Sequence, residues 1–217
     1  MSDKLRCLKR LSWSWSWPWP WPNNSLHFQF CIMSLRHLLF LLSLCIGNCL
    51  GYDVLLVIGG MYIESRIGYT VNAVEAVGPH HVCRLYNLPF QRHSLFGGRL
   101  RDRAIVCGGH DGTYERSECY VMYSHAQGRW VPMTPDLGQP LIFAAAAGDG
   151  QDNFYVVGGR RYNHENRIWD YQSEARVYNI NDNQWRNLPA LPKPMANACL
   201  LTLGSTLIFS GGAKMRY

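Results

Sequence analysis

Charge is scarce along this chain and lies unevenly. Asp, Glu, Lys and Arg make up 17% of the 217 residues and 47% are hydrophobic, a balance that excludes wholesale disorder. Residues 1–50 hold five Lys/Arg against one Asp, and the remaining 16 basic and 14 acidic residues leave +2 of the +6 total. A globular part so close to neutrality has no electrostatic footprint for nucleic acid, which is therefore not an expected partner. Phosphate-binding loops are missing as well. No Gly-x-x-x-x-Gly-Lys-Ser/Thr and no Gly-x-Gly-x-x-Gly follows a strand and opens a helix, which removes the usual nucleotide sites. His80-His81-x-Cys83 has no second ligand pair at zinc spacing, so it reads as a polar turn before a strand. Neither a metal nor a small-molecule cofactor is expected. Cys107-Gly108-Gly109-His110-Asp111 gathers a thiol, an imidazole and a carboxylate. With Cys107 closing a strand and His110-Asp111 opening a loop, no nucleophile pair and no catalytic residue is expected.

What the chain has in quantity is a repeated order of signals. From Ile142 to Pro192 a small-residue run (Ile142, Phe143, Ala144 to Ala147) turns at Gly148-Asp149-Gly150 and continues through Phe154-Tyr155-Val156-Val157 to Gly158-Gly159. A polar loop, the segment Ala175 to Tyr178, the turn Asn181-Asp182-Asn183 and Gln184 to Leu188 follow. This is the pattern of four short strands. Aliphatic runs ending in a glycine pair recur at Gly59-Gly60, Gly108-Gly109, Gly158-Gly159 and Gly211-Gly212, with first glycines 49, 50 and 53 residues apart. After two of the pairs a Tyr precedes a Trp by seven residues, as Tyr123 to Trp130 and Tyr178 to Trp185.

A double glycine, then Tyr, then Trp, at a period near fifty, resembles the kelch repeat. The resemblance covers roughly Tyr52 to the C-terminus. It implies an all-β fold: an incomplete kelch-type β-propeller of about three four-stranded antiparallel blades plus the first two strands of a fourth. The glycines would take positive φ where the chain passes a neighbouring backbone, and Tyr and Trp would fill the space between sheets. The expected strands are Val54 to Ile58, Ala73 to Val77 and His81 to Leu85 in blade one. Blade two takes His93 to Phe96, Ala104 to Cys107, Glu118 to Met122 and Arg129 to Met133, and blade four takes Ala198 to Leu203 and Thr206 to Ser210. Blade one departs most, with Val77 and Cys83 or Arg84 at the Tyr and Trp positions. Kelch propellers close with about six blades, so a truncated chain is expected, able to self-associate through open blade edges.

The N-terminal quarter differs in kind. Residues 1–32 contain Ser12-Trp13-Ser14-Trp15-Ser16-Trp17-Pro18-Trp19-Pro20-Trp21-Pro22, a low-complexity extension expected to be disordered and to pack against nothing. Residues 33–51 have the form of a signal peptide, with Met33 and Arg36 before an apolar run and small residues near Cys49 and Gly51. The chain is then secreted if Met33 is the functional start, and cytoplasmic otherwise. Residues 52–217 are the propeller segment. Of its four cysteines, Cys83, Cys107, Cys119 and Cys199, Cys107 and Cys119 would sit on adjacent strands. They form either a disulfide or two buried thiols.

With no chemistry in view, the loops become the site. Alternating strand direction puts every connection from second to third strand on one face: Met61 to Thr70, His110 to Ser117 and Arg160 to Ser173. The last displays Arg160, Arg161, Tyr162, His164, Arg167, Trp169 and Tyr171, the residue types that dominate interface hot spots. These, with His110 and Asp111, are the expected contacts for a protein or peptide ligand. The same residues suit a solvated loop whose Trp169 packs back on its blade. The resemblance implies a protein–protein interaction scaffold, with no enzymatic activity. Two alternatives stand beside it: the substrate-recognition part of a BTB-kelch cullin ubiquitin ligase adaptor, and a secreted galactose-oxidase-like copper propeller.

Overall fold

The computed structural model describes residues 7–9, 43–49, 52–64, 67–78, 81–122 and 129–213. The tryptophan run and Tyr123 lie outside the described residues, as does most of the signal-like segment. All regular structure among the described residues is strand. The first sheet contains β1 (Cys7–Lys9), β2 (Ser43–Cys49), β3 (Tyr52–Glu64), β4 (Ile67–Val77) and β5 (His81–Arg84), in the order β1-β5-β4-β3-β2. The second runs β6 (Phe96–Leu100), β7 (Arg103–Cys107), β8 (Cys119–Met122) and β9 (Trp130–Met133). The third takes β10 (Ala145–Gly148) and β11 (Asn153–Val157), passes through a separate ribbon of β12 (Arg160–Asn163) and β13 (Ile168–Tyr171), and returns as β14 (Ala175–Asn179) and β15 (Gln184–Leu188). Strands β16 (Ala196–Leu203) and β17 (Thr206–Ala213) form the last pair. These are the propeller blades read from the repeat.

Several boundaries move, for identifiable reasons. Ser43–Cys49 lies along Tyr52–Ile58 as the inner strand of blade one, so the sheet reaches back across the boundary drawn at residue 52. An apolar run serves an inner strand as well as it serves a leader, and periodicity does not separate the two. Cys7–Lys9 pairs with His81–Cys83, which corrects the expectation that residues 1–32 pack against nothing. The expected loops Met61 to Thr70 and Arg160 to Ser173 are largely antiparallel ribbons. Inner strands start at Phe96 and Ala145, three residues later than expected, because the residues before them carry a different task.

That task is to join blades. In the crossover from blade one to two, the Arg92 carbonyl accepts a hydrogen bond from Gly60 N–H at 2.9 Å, and the next residue, His93, exchanges backbone bonds with His110 of blade two. The next crossover repeats it: Leu141 accepts from Gly109 N–H at 3.0 Å and Ile142 bridges to Arg160 of blade three. In the third, Met195 accepts from Gly159 N–H at 2.8 Å and Ala196 pairs with Ala213. One carbonyl holds the blade behind and the following residue holds the blade ahead. Ser94, Phe143 and Asn197 follow, all at φ between 55 and 57°, and Phe143 N–H to Ser94 and Asn197 N–H to Phe143 link them in an inner belt.

Three apolar layers fill the gaps between successive sheets. Leu56, Ile58 and Val74 meet Val106 and Trp130 between the first two; Phe96, Ile105 and Val121 meet Phe154, Tyr178 and the half-buried Trp185 between the next. Ala145, Ala147 and Val157 meet Leu200 and Phe209 in the last. Each Trp also spans the gap with its polar end, donating Nε1–H to a carbonyl of the preceding blade at 3.2 Å, Trp130 to Tyr86 and Trp185 to Pro135. Cys107 and Cys119 face each other in register and are joined by a disulfide closed over 12 residues. Cys83 is disulfide-bonded as well.

The glycine pairs separate two costs. Gly158 has φ 67°, and a Cβ there would stand 2.4 Å from the Met195 carbonyl oxygen, whereas at Gly211, with φ 77°, a Cβ would meet nothing within 4 Å. Gly158→Ala should lose about 3 kcal/mol, from conformational strain and displaced backbone together. Gly211→Ala should lose only the roughly 1 kcal/mol of strain. Urea unfolding of the two variants checks this, and equal losses would show that close approach to the crossover does not matter.

Candidate functional site on the face of the double glycines

The connections that leave the blades at the glycine pairs share one face with the crossovers, as the hydrogen bonds above require. On it the ribbon β12–β13 carries most of the residues singled out in the sequence. Their side chains divide into two sets. Arg160 lies with its guanidinium carbon 4.3 Å from the Trp169 ring centroid and 4.8 Å from that of Phe143, and its Nη1 reaches the Tyr171 hydroxyl at 3.5 Å. Its buried Nε has no hydrogen-bond partner, so the two aromatic faces are what compensate that charge. Tyr162 and Trp169 are cross-strand partners with ring centroids 5.3 Å apart, and the edge of the His164 ring meets Tyr162 at 5.1 Å. Tyr171 is buried. Arg160, Tyr162, Trp169 and Tyr171 therefore brace the ribbon.

The second set faces solvent. The Asn163 side-chain oxygen accepts from Glu165 and Asn166 N–H, both at 3.0 Å, turning the chain so that residues 164–168 are exposed. Ile168 is 53% exposed. Arg161 is half-buried and 3.8 Å from Asp170 across the ribbon. Beside it, Gln139 and Pro140 of the crossover, with Gln172 and Arg176, line a shallow cleft. Arg176 donates to the Leu137 carbonyl at 2.9 Å, which ties the crossover segment around Leu137 to this blade. The contribution of Phe143 was not legible in the sequence, because it comes from the crossover and not from the loop it supports.

His110 and Asp111 are committed to local structure. The His110 ring stacks on His93 with centroids 5.1 Å apart, and its Nδ1 accepts from Gly112 N–H at 2.9 Å. Burial, and then the neighbouring His110, push His93 below its ordinary value. Asp111 accepts from Thr113 and Tyr114 N–H, each at 2.9 Å, and from Arg116. Partial burial raises its carboxyl, but the hydrogen bonds from Tyr114, Thr113 and Arg116 outweigh that and hold it well below the usual carboxylate range.

That shift has a testable sign. A carboxyl whose folded-state pKa lies below its unfolded value contributes stability above about pH 4, and loses it as the pH falls toward the folded value. Asp111→Asn keeps the acceptor for the turn and removes the charge. Its melting temperature should fall below that of the unaltered chain at pH 7, and the gap should begin to close only below about pH 4, narrowing as the pH falls toward the folded-state value. A gap that persists undiminished at the acid end would remove the charge from the explanation.

No family model matches the chain. It is 33% identical over 122 residues to Kelch-like protein 33 of Homo sapiens, a match that takes in 55% of this chain and 20% of that protein. The solved structure of YjhT superposes with a TM-score of 0.58 at 15% identity, covering 78% of this chain and 58% of that one. The chain thus spans a fifth of the curated relative and little more than half of the structural one. The glycine-pair repeat, the four successive sheets and these two likenesses agree: the chain has the blades of a kelch-type β-propeller, and its repeat is similar to that of a kelch-like protein.

Proposed function

We propose that the chain is a protein-interaction scaffold and that the β12–β13 ribbon is its principal contact element. The observation that carries this reading is the ribbon itself. It stands apart from the four-stranded sheet of its blade, is braced from below by Arg160 between Phe143 and Trp169, and ends in an exposed tip at residues 164–168. A rigid support under exposed side chains lowers the ordering cost of binding. Arg161, His164, Arg167 and Ile168 make the contact, and Trp169 holds its edge in place.

The likeness to Kelch-like protein 33 favours the narrower reading that the contact selects substrates for a ubiquitin ligase adaptor. The disulfides at Cys83 and Cys107–Cys119 favour folding in an oxidising compartment, and so weigh against that narrower reading.

A photo-reactive residue placed at Ile168, with a second placed at the exposed Asn187 on the outer strand, tests the contact. The Ile168 probe should yield a discrete protein adduct that the Asn187 probe does not, and Arg161→Ala should reduce its yield about tenfold. Equal labelling from both positions would remove the ribbon from the interface.

A further inference from the structure

Blade one carries a second ribbon of the same design. Tyr62 and Tyr69, cross-strand partners beyond Gly60, stack with centroids 5.1 Å apart, as Tyr162 and Trp169 pair across the ribbon beyond Gly159. Each ribbon continues from a glycine pair at the end of a second strand, so both rise from one face. Blade two, between them, has only the short connection with Tyr114. Nine large hydrophobic side chains are exposed among the described residues, and five of them, Tyr62, Ile63, Tyr69, Tyr114 and Ile168, belong to these three connections. The sequence places Met61 to Thr70 on this face as a loop, with no signal that it pairs into a ribbon.

The charges on this face say what it does not bind. Residues 61–70, 108–118 and 158–174 hold five Lys/Arg against seven Asp/Glu. Arg116 is bound to Asp111, Arg161 faces Asp170, and Arg160 is enclosed by Phe143 and Trp169. Beside these, Arg92 pairs with Glu118 and Arg176 with Glu174, which offsets the acidic excess, so the face has no net field to attract a charged partner and exposed apolar area is left as its unmet chemistry.

We infer that the ribbons of blades one and three form a two-sided clasp for an uncharged, aromatic- and aliphatic-rich protein segment laid across blade two. The inference rests on the scaffold reading and specifies its partner. Selection of a phage library of random dodecapeptides against the full chain tests it. Neutral peptides rich in aromatic and aliphatic residues should emerge, and their affinity should change less than about threefold between low and high salt. Tyr69→Ser and Ile168→Ser, each with an unaltered melting temperature, should each weaken binding about tenfold. Acidic peptides that salt displaces would overturn the inference and leave the scaffold reading standing. So would binding lost on Ile168→Ser but untouched by Tyr69→Ser. Selection of no peptide at all would overturn both.

Discussion

Everything in this molecule depends on two adjacent residues in each crossover. Arg92 and His93, Leu141 and Ile142, and Met195 and Ala196 each bond one blade through a carbonyl and the next through the following backbone groups. A net backbone hydrogen bond is worth only about 1 kcal/mol, but leaving a buried one unmade costs up to about 3. The arrangement is therefore enforced more by what its loss would strand than by what it gains. The kink after each pair places Ser94, Phe143 and Asn197 at positive φ, at a cost of about 1–2 kcal/mol apiece. The inner belt of hydrogen bonds offsets that cost.

The same constraint explains the sequence period. The crossover carbonyl comes close to the first glycine of each of the first three pairs, so close that no side chain fits at Gly108 or Gly158, and the second glycine supplies the donor. Outward from this point the blades are held by area: the apolar layers between sheets supply most of the driving force, at about 25 cal/mol per Å² buried. Trp130 and Trp185 fill the widening gap and tether it at the polar end. Further in, Ala145 to Ala147 and Gly148 are small enough for neighbouring inner strands to touch. A Cβ on Gly148 would fall 1.5 Å from the Arg99 carbonyl oxygen. Function enters because this scaffold fixes where the second-to-third-strand connections emerge, and leaves their length and composition free.

Strand identity in blades two and three was legible because glycine pairs, turn residues and aliphatic runs agree there on one answer. Gln184–Leu188 falls where it was read, and most others shift by one to three residues. Blade one was harder: its inner strand lies in an apolar run that reads equally as a leader, and its ribbon carries no repeat signature. At the candidate site, composition identified the Arg160–Tyr171 segment but did not sort its side chains. Arg160 and Trp169 look like contact residues in the sequence, and become supports once Phe143 arrives from a crossover some twenty residues earlier. His110 and Asp111 likewise looked available, until local turn geometry engaged them.

Native-state hydrogen exchange at three amides tests the account most directly. If the crossovers hold the blades together, Gly60, Gly109 and Gly159 N–H should exchange only through global unfolding, with the same opening free energy as Ile105 and Val156 in the cores. Exchange at those glycines as fast as at the exposed turn residue Gly204 would contradict it. The blades would then be joined by apolar packing and the side-chain tethers of Trp130 and Trp185 instead.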